Sequence, residues 1–572
     1  MRKARLEAAN SPSIALEKGL SRLRPPPRRY MGSPPSPSPL RRTRSQNHIH
    51  PVEISRWKTY LFYLVASGVT ATTIYLVICA WRWDAFVSRL PSSSSSERIE
   101  IPSVSLDSSA NFHLARVISG SQAVFHHPAS SNRRYLAYLP HSGFHNQRIS
   151  FENALVLAHM LNRTLIVPPI RLGLPIRYVE FNKLQRFLAL SSKVGLDHCH
   201  LAAYSINFTP RECIGYSEYT LLPWNAFVDL HALAQIQPLV ERWDSSSSWL
   251  RRYHITERET AYVKDYHPYR FQIYDDLDDR RPLKSKYIGR LDVALLHKAY
   301  ASYRLLHLGT LFGTTRLQLN VTSNLEFRKK VREGMVFTNS LLVRVAQSIR
   351  RDMDGYQKES GYLGIHLRLG DGAFHSEGRI NARLIWWRLV TELLELDADV
   401  ASAIEAVAMG WVTPGEILAP PVIPVGSTAI RFPFGFPPPG SLPPLNFSAP
   451  HPTNCQENLR SASNLTVLNI PIFIATDSRS PRTDPSLRLF LHTFPCVFFL
   501  SDFSDHIAII TSPILVNKDD GVTLGAFLMP FVDSMVAAMG RAVLGTPKST
   551  FSSFTVDVLY RKYHGWPIVE RG

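Results

Sequence analysis

Between residues 59 and 81 the chain reads TYLFYLVASGVTATTIYLVICAW, 23 positions without a charged side chain. As a helix this run reaches about 35 Å, enough to cross the hydrocarbon core of a bilayer. Trp57, Trp81 and Trp83 stand where indole rings prefer the two interfaces. A helix buried in a soluble core rarely stays uncharged for this length, and a cleaved secretory signal has a shorter apolar centre nearer the terminus. The run is expected to be a single transmembrane helix, and it divides the rest of the chain.

Charge gives that helix a direction. Residues 1–58 hold thirteen Lys/Arg against three acids, a balance of +10 out of the +18 carried by all 572 residues. The flank 82–100 carries three bases and three acids. The basic side is expected in the cytosol and the C-terminal bulk in the lumen, the arrangement of a type II single-pass protein of the Golgi or endoplasmic reticulum. The stretch 1–58, with PPPRRY and SPPSPSPL, is too polar and proline-rich to bury a core and is expected to be disordered. Residues 82–130, including SSSSSE, are expected to form a stem. The basic excess is then a topology signal beside a membrane. No nucleic-acid-binding module is recognisable, and no nucleic-acid partner is expected.

Asn162, Asn207, Asn320, Asn446 and Asn464 each open an N-x-[ST] sequon, as a lumenal chain allows. Cys79 lies in the span, while Cys199, Cys213, Cys455 and Cys496 follow it and can pair in three ways. No CxxC or His/Cys cluster suggests a metal.

The lumenal part is long enough for two domains, expected at 131–355 and 356–572. In the first, YLAYLP at 135–140 reads as a strand, HSGFHNQR as a loop, ISFENALVLAHMLNRT as a helix with Ser150 as its cap, and LIVPP as a second strand. That is a βαβ unit, which implies a parallel sheet in an α/β fold. Residues 170–330 show no clean period and are read as helices and loops. In the second domain, IHLRLGD, IPIFIATDS, VFFLSDF and AVLGTPKST are short apolar runs ending in polar tips. They suit a doubly wound sheet, which binds ligands at the carboxyl ends of its strands. GMVFTNSLLVRVAQSIRRDM (334–353), WWRLVTELLEL and TLGAFLMPFVDSMVAAMG read as helices. Twelve prolines between 414 and 452 mark an insertion.

Four constellations carry chemistry. HLRLGD places His366, Arg368 and Asp371 at a strand end, where a guanidinium fork suits phosphate oxygens or a structural pair with the aspartate. GTPKSTFSS places Ser549, Thr550, Phe551 and Ser552 at a helix start, either as an anion site or as an ordinary cap. Asp477 in IATDS either meets a ribose or nucleobase or caps its own loop. Gly143, His145 and Asn146 in GFHNQR either face a ligand or structure a loop.

In this order, HNQR with LNRTLIVPP, then YLGIHLRLGD, FIATDS and GTPKSTFSS, the blocks resemble the GDP-fucose protein O-fucosyltransferase family, particularly its fungal-type members, from about residue 135 to 563. The resemblance implies a GT-B-like α/β fold of two Rossmann-like domains, an acceptor-side domain and a nucleotide-sugar domain with a Pro-rich insertion, with the active site in their cleft. It implies transfer of fucose from GDP-fucose to a Ser or Thr hydroxyl of a protein acceptor, with inversion. No DxD motif is present, and no metal or other cofactor is expected. Arg368 would contact the diphosphate and leaving oxygen, and Asn146 would lie near the acceptor hydroxyl. His145 and Glu152 are candidate bases. Gly143, His366, Asp371, Asp477, Ser549, Thr550, Phe551 and Ser552 would line the nucleotide-sugar site. Leu369 stands where a second arginine is common, which removes a charge near the diphosphate. Two other readings stay open: a fucosyltransferase acting on a glycan, and an inactive lumenal protein that binds a nucleotide sugar or a client.

Overall fold

The chain's apolar runs become strands buried on both faces, as in parallel sheets covered by helices. The computed structural model describes residues 133–202, 209–242, 245–355, 361–410, 419–422, 455 and 459–569, all within one compact unit. The tail, the candidate span 59–81, the stem and most of the insertion 414–452 lie outside the described residues. Among the described residues no helix is long and apolar enough to cross a membrane.

The first half holds β1 (Tyr135–Ala137), β2 (Thr164–Val167), β3 (Ile170–Gly173), β4 (Tyr219–Leu222), β5 (Leu239–Glu241), β6 (Thr260–Val263), β7 (Phe271–Tyr274), β8 (Gly289–Asp292), β9 (Leu305–Leu308) and β10 (Leu317–Gln318). Five of them form an all-parallel sheet in the order β5-β2-β1-β9-β6. Side chains alternate across it. Leu136 packs under the helix Phe144–Met160, while Tyr135 and Ala137 pack on the other face with Ile166, Val240 and Leu305. His307 in β9 is buried too, edge-on to Phe181 at 5.3 Å.

Residues 170–330, read as helices and loops, also carry strands: the antiparallel pair β3–β4 and a three-stranded parallel sheet, β10-β7-β8. These strands are two to four residues long. Such lengths are too short to show a period between charged loops.

The helix Phe144–Met160 begins six residues before its expected cap. Gly143 is its extended N-cap, and HNQR follows Phe144 within its first turn and a half. The Ser150 hydroxyl donates back to the Asn146 carbonyl at 3.0 Å, an interior helical bond rather than a cap. Tertiary packing explains the extension. Phe144 lies edge-on to Phe531 of the helix Gly525–Met539, with ring centroids 4.7 Å apart.

In the second half, β11 (Leu363–Leu367), β12 (Ile472–Thr476), β13 (Val497–Phe498) and β14 (Ala542–Gly545) form a parallel sheet in the order β13-β12-β11-β14. The expected strand VFFLSDF is only two residues long, because the Asp502 carboxylate accepts the Phe499 N–H at 2.8 Å and folds the chain into a turn. The helix Gly525–Met539 lies directly on β11. A Cβ at Gly364 would collide with the Ala537 carbonyl, and one at Gly540 would stand 2.9 Å from the Gly364 nitrogen.

The cysteines pair as Cys199–Cys213 and Cys455–Cys496. The first pair lies beside a polar junction between the halves. There the Lys193 ammonium meets the buried Asp520 carboxylate at 2.7 Å, and Thr220 donates to the same oxygen at 3.0 Å.

Candidate active site

Three strand tips are tied into one edge. The Thr546 hydroxyl after β14 accepts the Arg368 N–H at 2.9 Å and donates to the His366 carbonyl at 3.2 Å. Beyond β12, Asp477 Oδ1 accepts the N–H groups of Leu369 and Gly370 at 2.6 and 2.9 Å. The loop-capping reading of Asp477 is thus realised for one oxygen, while the residue as a whole stays exposed. A Cβ at Gly370 would stand 2.9 Å from Asp477 Oδ2, so glycine permits this closure.

On that edge Arg368 forks onto Asp371, Nε to Oδ1 at 2.9 Å and Nη2 to Oδ2 at 2.7 Å. The structural pair considered from the sequence is present. Its two side chains are 27% and 59% exposed, so the guanidinium remains accessible, and Nη1 has no hydrogen-bond partner among the described residues. Leu369 turns the other way. It is 5% exposed and packs in the apolar core of the second half. A charge is therefore not missing from the open side at that position.

The start of the helix Phe144–Met160 meets this edge. The Thr550 hydroxyl donates to Asn146 Oδ1 at 3.2 Å. The His145 ring stacks on Phe551 at 4.3 Å, and Phe551 lies 4.3 Å from His366 on its other contact. His366 Nδ1 pairs with the Ser552 hydroxyl at 2.8 Å. A Cβ at Gly143 would meet nothing within 4 Å, so there is open space beside the helix's N-cap. Blocks that lie far apart in sequence, HNQR, HLRLGD, IATDS and GTPKSTFSS, therefore adjoin at the carboxyl ends of the central strands.

Some expected residues serve internally. Ser549 caps the helix Thr550–Phe554, accepting the Ser552 N–H at 3.2 Å, and both serines are 1% exposed. Glu152 does not face the opening. Its side chain is 5% exposed and is ion-paired with Arg148 and, at 3.6 Å, with Arg332. That position does not suit a general base, which must reach the acceptor hydroxyl within about 3 Å.

Burial holds both imidazoles neutral. His366 is pushed down to about 3 by burial and then by the charge of Arg368. His145 is held well below the usual histidine range by burial, then by Arg148, His366 and Arg368. Sequence reasoning missed Arg332, Thr546 and Asp533. Asp533 Oδ2 accepts the Thr476 N–H at 3.2 Å, and burial holds its carboxyl well above the usual range. A lone acid in the apolar run FLMPFVDSMVAAMG was the available signal. Among the described residues, one His/Cys group lies close enough for a metal, His198, Cys199 and Cys213, but its cysteines are joined as a disulfide.

An accessible guanidinium, neutral imidazoles and an amide at the ends of parallel strands suit a phosphorylated ligand. No family model matches the chain. O-fucosyltransferase 30 of Arabidopsis thaliana is 60% identical over 38 residues, which span 7% of this chain and 8% of that protein. Among solved structures, POFUT1 in complex with GDP aligns at a TM-score of 0.31 and 11% identity, over 77% of this chain and 96% of that one. POFUT1 in complex with GDP-fucose aligns at 0.30 and 9%, over 76% and 95%.

Proposed function

We propose that this protein is a GDP-fucose-dependent O-fucosyltransferase that moves fucose, with inversion, onto Ser or Thr hydroxyls of secretory-pathway proteins. The observation that carries this reading is the meeting of the four sequence blocks at one edge, with Asn146 on Thr550 and His145 on Phe551. The local identity to an O-fucosyltransferase supports it.

In this reading the two halves are the Rossmann-like domains of a GT-B-like enzyme, and their cleft takes the sugar nucleotide. The acceptor oxygen forms a bond to the anomeric carbon of fucose. The bond from that carbon to the diphosphate breaks, its electron pair leaves with GDP, and the hydroxyl proton passes to the departing phosphate. Negative charge grows on the leaving oxygen, where Arg368 stabilises it without reorganising. Asn146 orients the acceptor. Asp477, through its exposed side, and Thr550 and Phe551 border the nucleotide. No metal is needed for this scheme.

The run 59–81 serves as a type II anchor in the Golgi or endoplasmic reticulum, with the folded part lumenal. Two disulfides support an oxidising compartment. Protease protection of the folded part in intact microsomes tests the topology. Transfer from radiolabelled GDP-fucose to protein and to glycan acceptors, beside GDP binding, tests the chemistry. Absence of GDP affinity would overturn it, and turnover on glycans alone would reassign the acceptor. The inactive-binder reading loses its support at Leu369, which faces the core.

A further inference from the structure

Glu152 has another task than that of a base. It lies one turn after Arg148 on the same helix and faces Arg332 from the helix Thr322–Glu333. The three side chains are 5%, 7% and 10% exposed, so the carboxylate locks both guanidiniums in place. Held there, Arg148 lies over the Phe554 ring at 4.2 Å and directs its Nε–H to His145 Nδ1 at 3.4 Å.

A guanidinium only donates, so His145 Nδ1 must accept. A neutral imidazole that accepts at Nδ1 carries its hydrogen on Nε2. Nε2 has no hydrogen-bond partner among the described residues, yet it is not among the buried polar atoms sealed from solvent. The ring stacks on Phe551, and the charges of Arg148 and Arg368 both reach it. His366 mirrors it from the second half, with the Ser552 hydroxyl at its own Nδ1.

We propose that His145 is a neutral hydrogen-bond donor to the bound nucleotide sugar, and that Glu152 and Arg332 are positioning residues that fix which of its nitrogens carries the hydrogen. The identity of the ligand rests on the fucosyltransferase reading; the tautomer does not. The groups facing the ring are Arg148 and, behind it, Glu152 on the same helix, Arg332 behind those, His366 and Arg368 from the β11 edge, Phe144 from the preceding position, and Phe551 and Phe554 from the helix Thr550–Phe554. A protonated Nε2 has no lone pair to offer, so His145 takes no proton from the acceptor.

The test uses the full chain in detergent, with GDP as the probe, GDP-fucose transfer as the second readout, and ¹⁵N-histidine NMR of the ligand-free protein as the third. His145→Gln, which keeps an N–H donor, should bind GDP within about threefold of wild type. His145→Phe keeps the stack and loses the donor, and should bind about 10- to 100-fold more weakly. The NMR signal lost in His145→Gln should report the Nε2–H form in the wild type and shift toward Nδ1–H in Glu152→Gln and Arg332→Met. Arg332→Lys should restore it. An Nδ1–H signal in the wild type, or full GDP affinity in His145→Phe, would overturn the proposal. A wild-type protein that does not bind GDP would overturn the ligand and the functional reading together, while the ligand-free tautomer would still decide the role of Glu152 and Arg332.

Discussion

Thr550 donates its hydroxyl to the Asn146 amide oxygen at 3.2 Å, across 404 positions of sequence. The bond turns the amide so that its NH2 group is left for a ligand. Asn146→Ala should therefore lower transfer about 10²-fold, the scale of one lost donor at a reacting centre. Thr550→Val removes only the partner and should cost about 1 kcal/mol of stability, with a smaller kinetic loss. Steady-state kinetics and melting of the two variants separate these effects; equal kinetic losses would show that the pairing, not the amide N–H, matters.

Arg368 is held in a fork by Asp371, and among the described residues its Nη1 has no hydrogen-bond partner. Arg368→Ala should lower turnover at least about 10²-fold. Arg368→Lys should recover little, because an ammonium cannot reproduce the planar fork. Asp371→Asn should change affinity for GDP far less than either. Unchanged turnover in Arg368→Ala would remove the residue from the chemistry.

Acid should unfold this protein through its histidines. Burial pushes His141, His307 and His366 down to about 3, and His564 to about 4. The unfolded chain takes these protons near 6.5 and the folded chain does not. Their contribution is thus complete above about pH 6.5 and is lost as pH falls toward 3–4, at up to about 1.4 kcal/mol per unit for each histidine. Denaturant midpoints at pH 7, 6 and 5 should fall at constant slope. His307→Leu should flatten that decline, since among the described residues neither ring nitrogen has a hydrogen-bond partner to lose. Flat midpoints from pH 7 to 5 would contradict this account.

Lys193 and Asp520 join the two halves in a buried pair. Lys193→Met leaves the carboxylate buried with, among the described residues, only the neutral donors Thr220 and Val522 N–H, and should cost about 3–5 kcal/mol, read by denaturant melts. Lys193→Met with Asp520→Leu should recover part of that loss. Equal destabilisation by the single and double variants would show that packing, not the charge, is what the position requires.

The central strands were legible because LIV and IFIA are unbroken apolar strings and IHL is interrupted only by His366, as strands covered on both faces must be nearly apolar throughout. The order of motifs was legible for the same reason, since each follows a strand and so stands at its carboxyl tip. What the chain concealed depended on partners distant in sequence. HNQR looks like a loop until Phe551 and Phe554 cover it, and Phe531 packs on the preceding Phe144, as a helix. Glu152 looks available until Arg332 arrives from another helix. Leu369 looks like a lost charge until the turn points it inward. The short strands of 170–330 are set by pairing across loops, which no local pattern records.

Gly364 lies against the Ala537 carbonyl and Gly540 against the Gly364 nitrogen, neither with space for a methyl group. The seam between β11 and its covering helix therefore has no slack. A side chain at either position would wedge strand from helix and tilt the tip that carries Arg368, without touching any ligand. Two residues with no functional group thus set the depth at which the arginine sits, so the site's alignment is vulnerable from behind as well as from its open face.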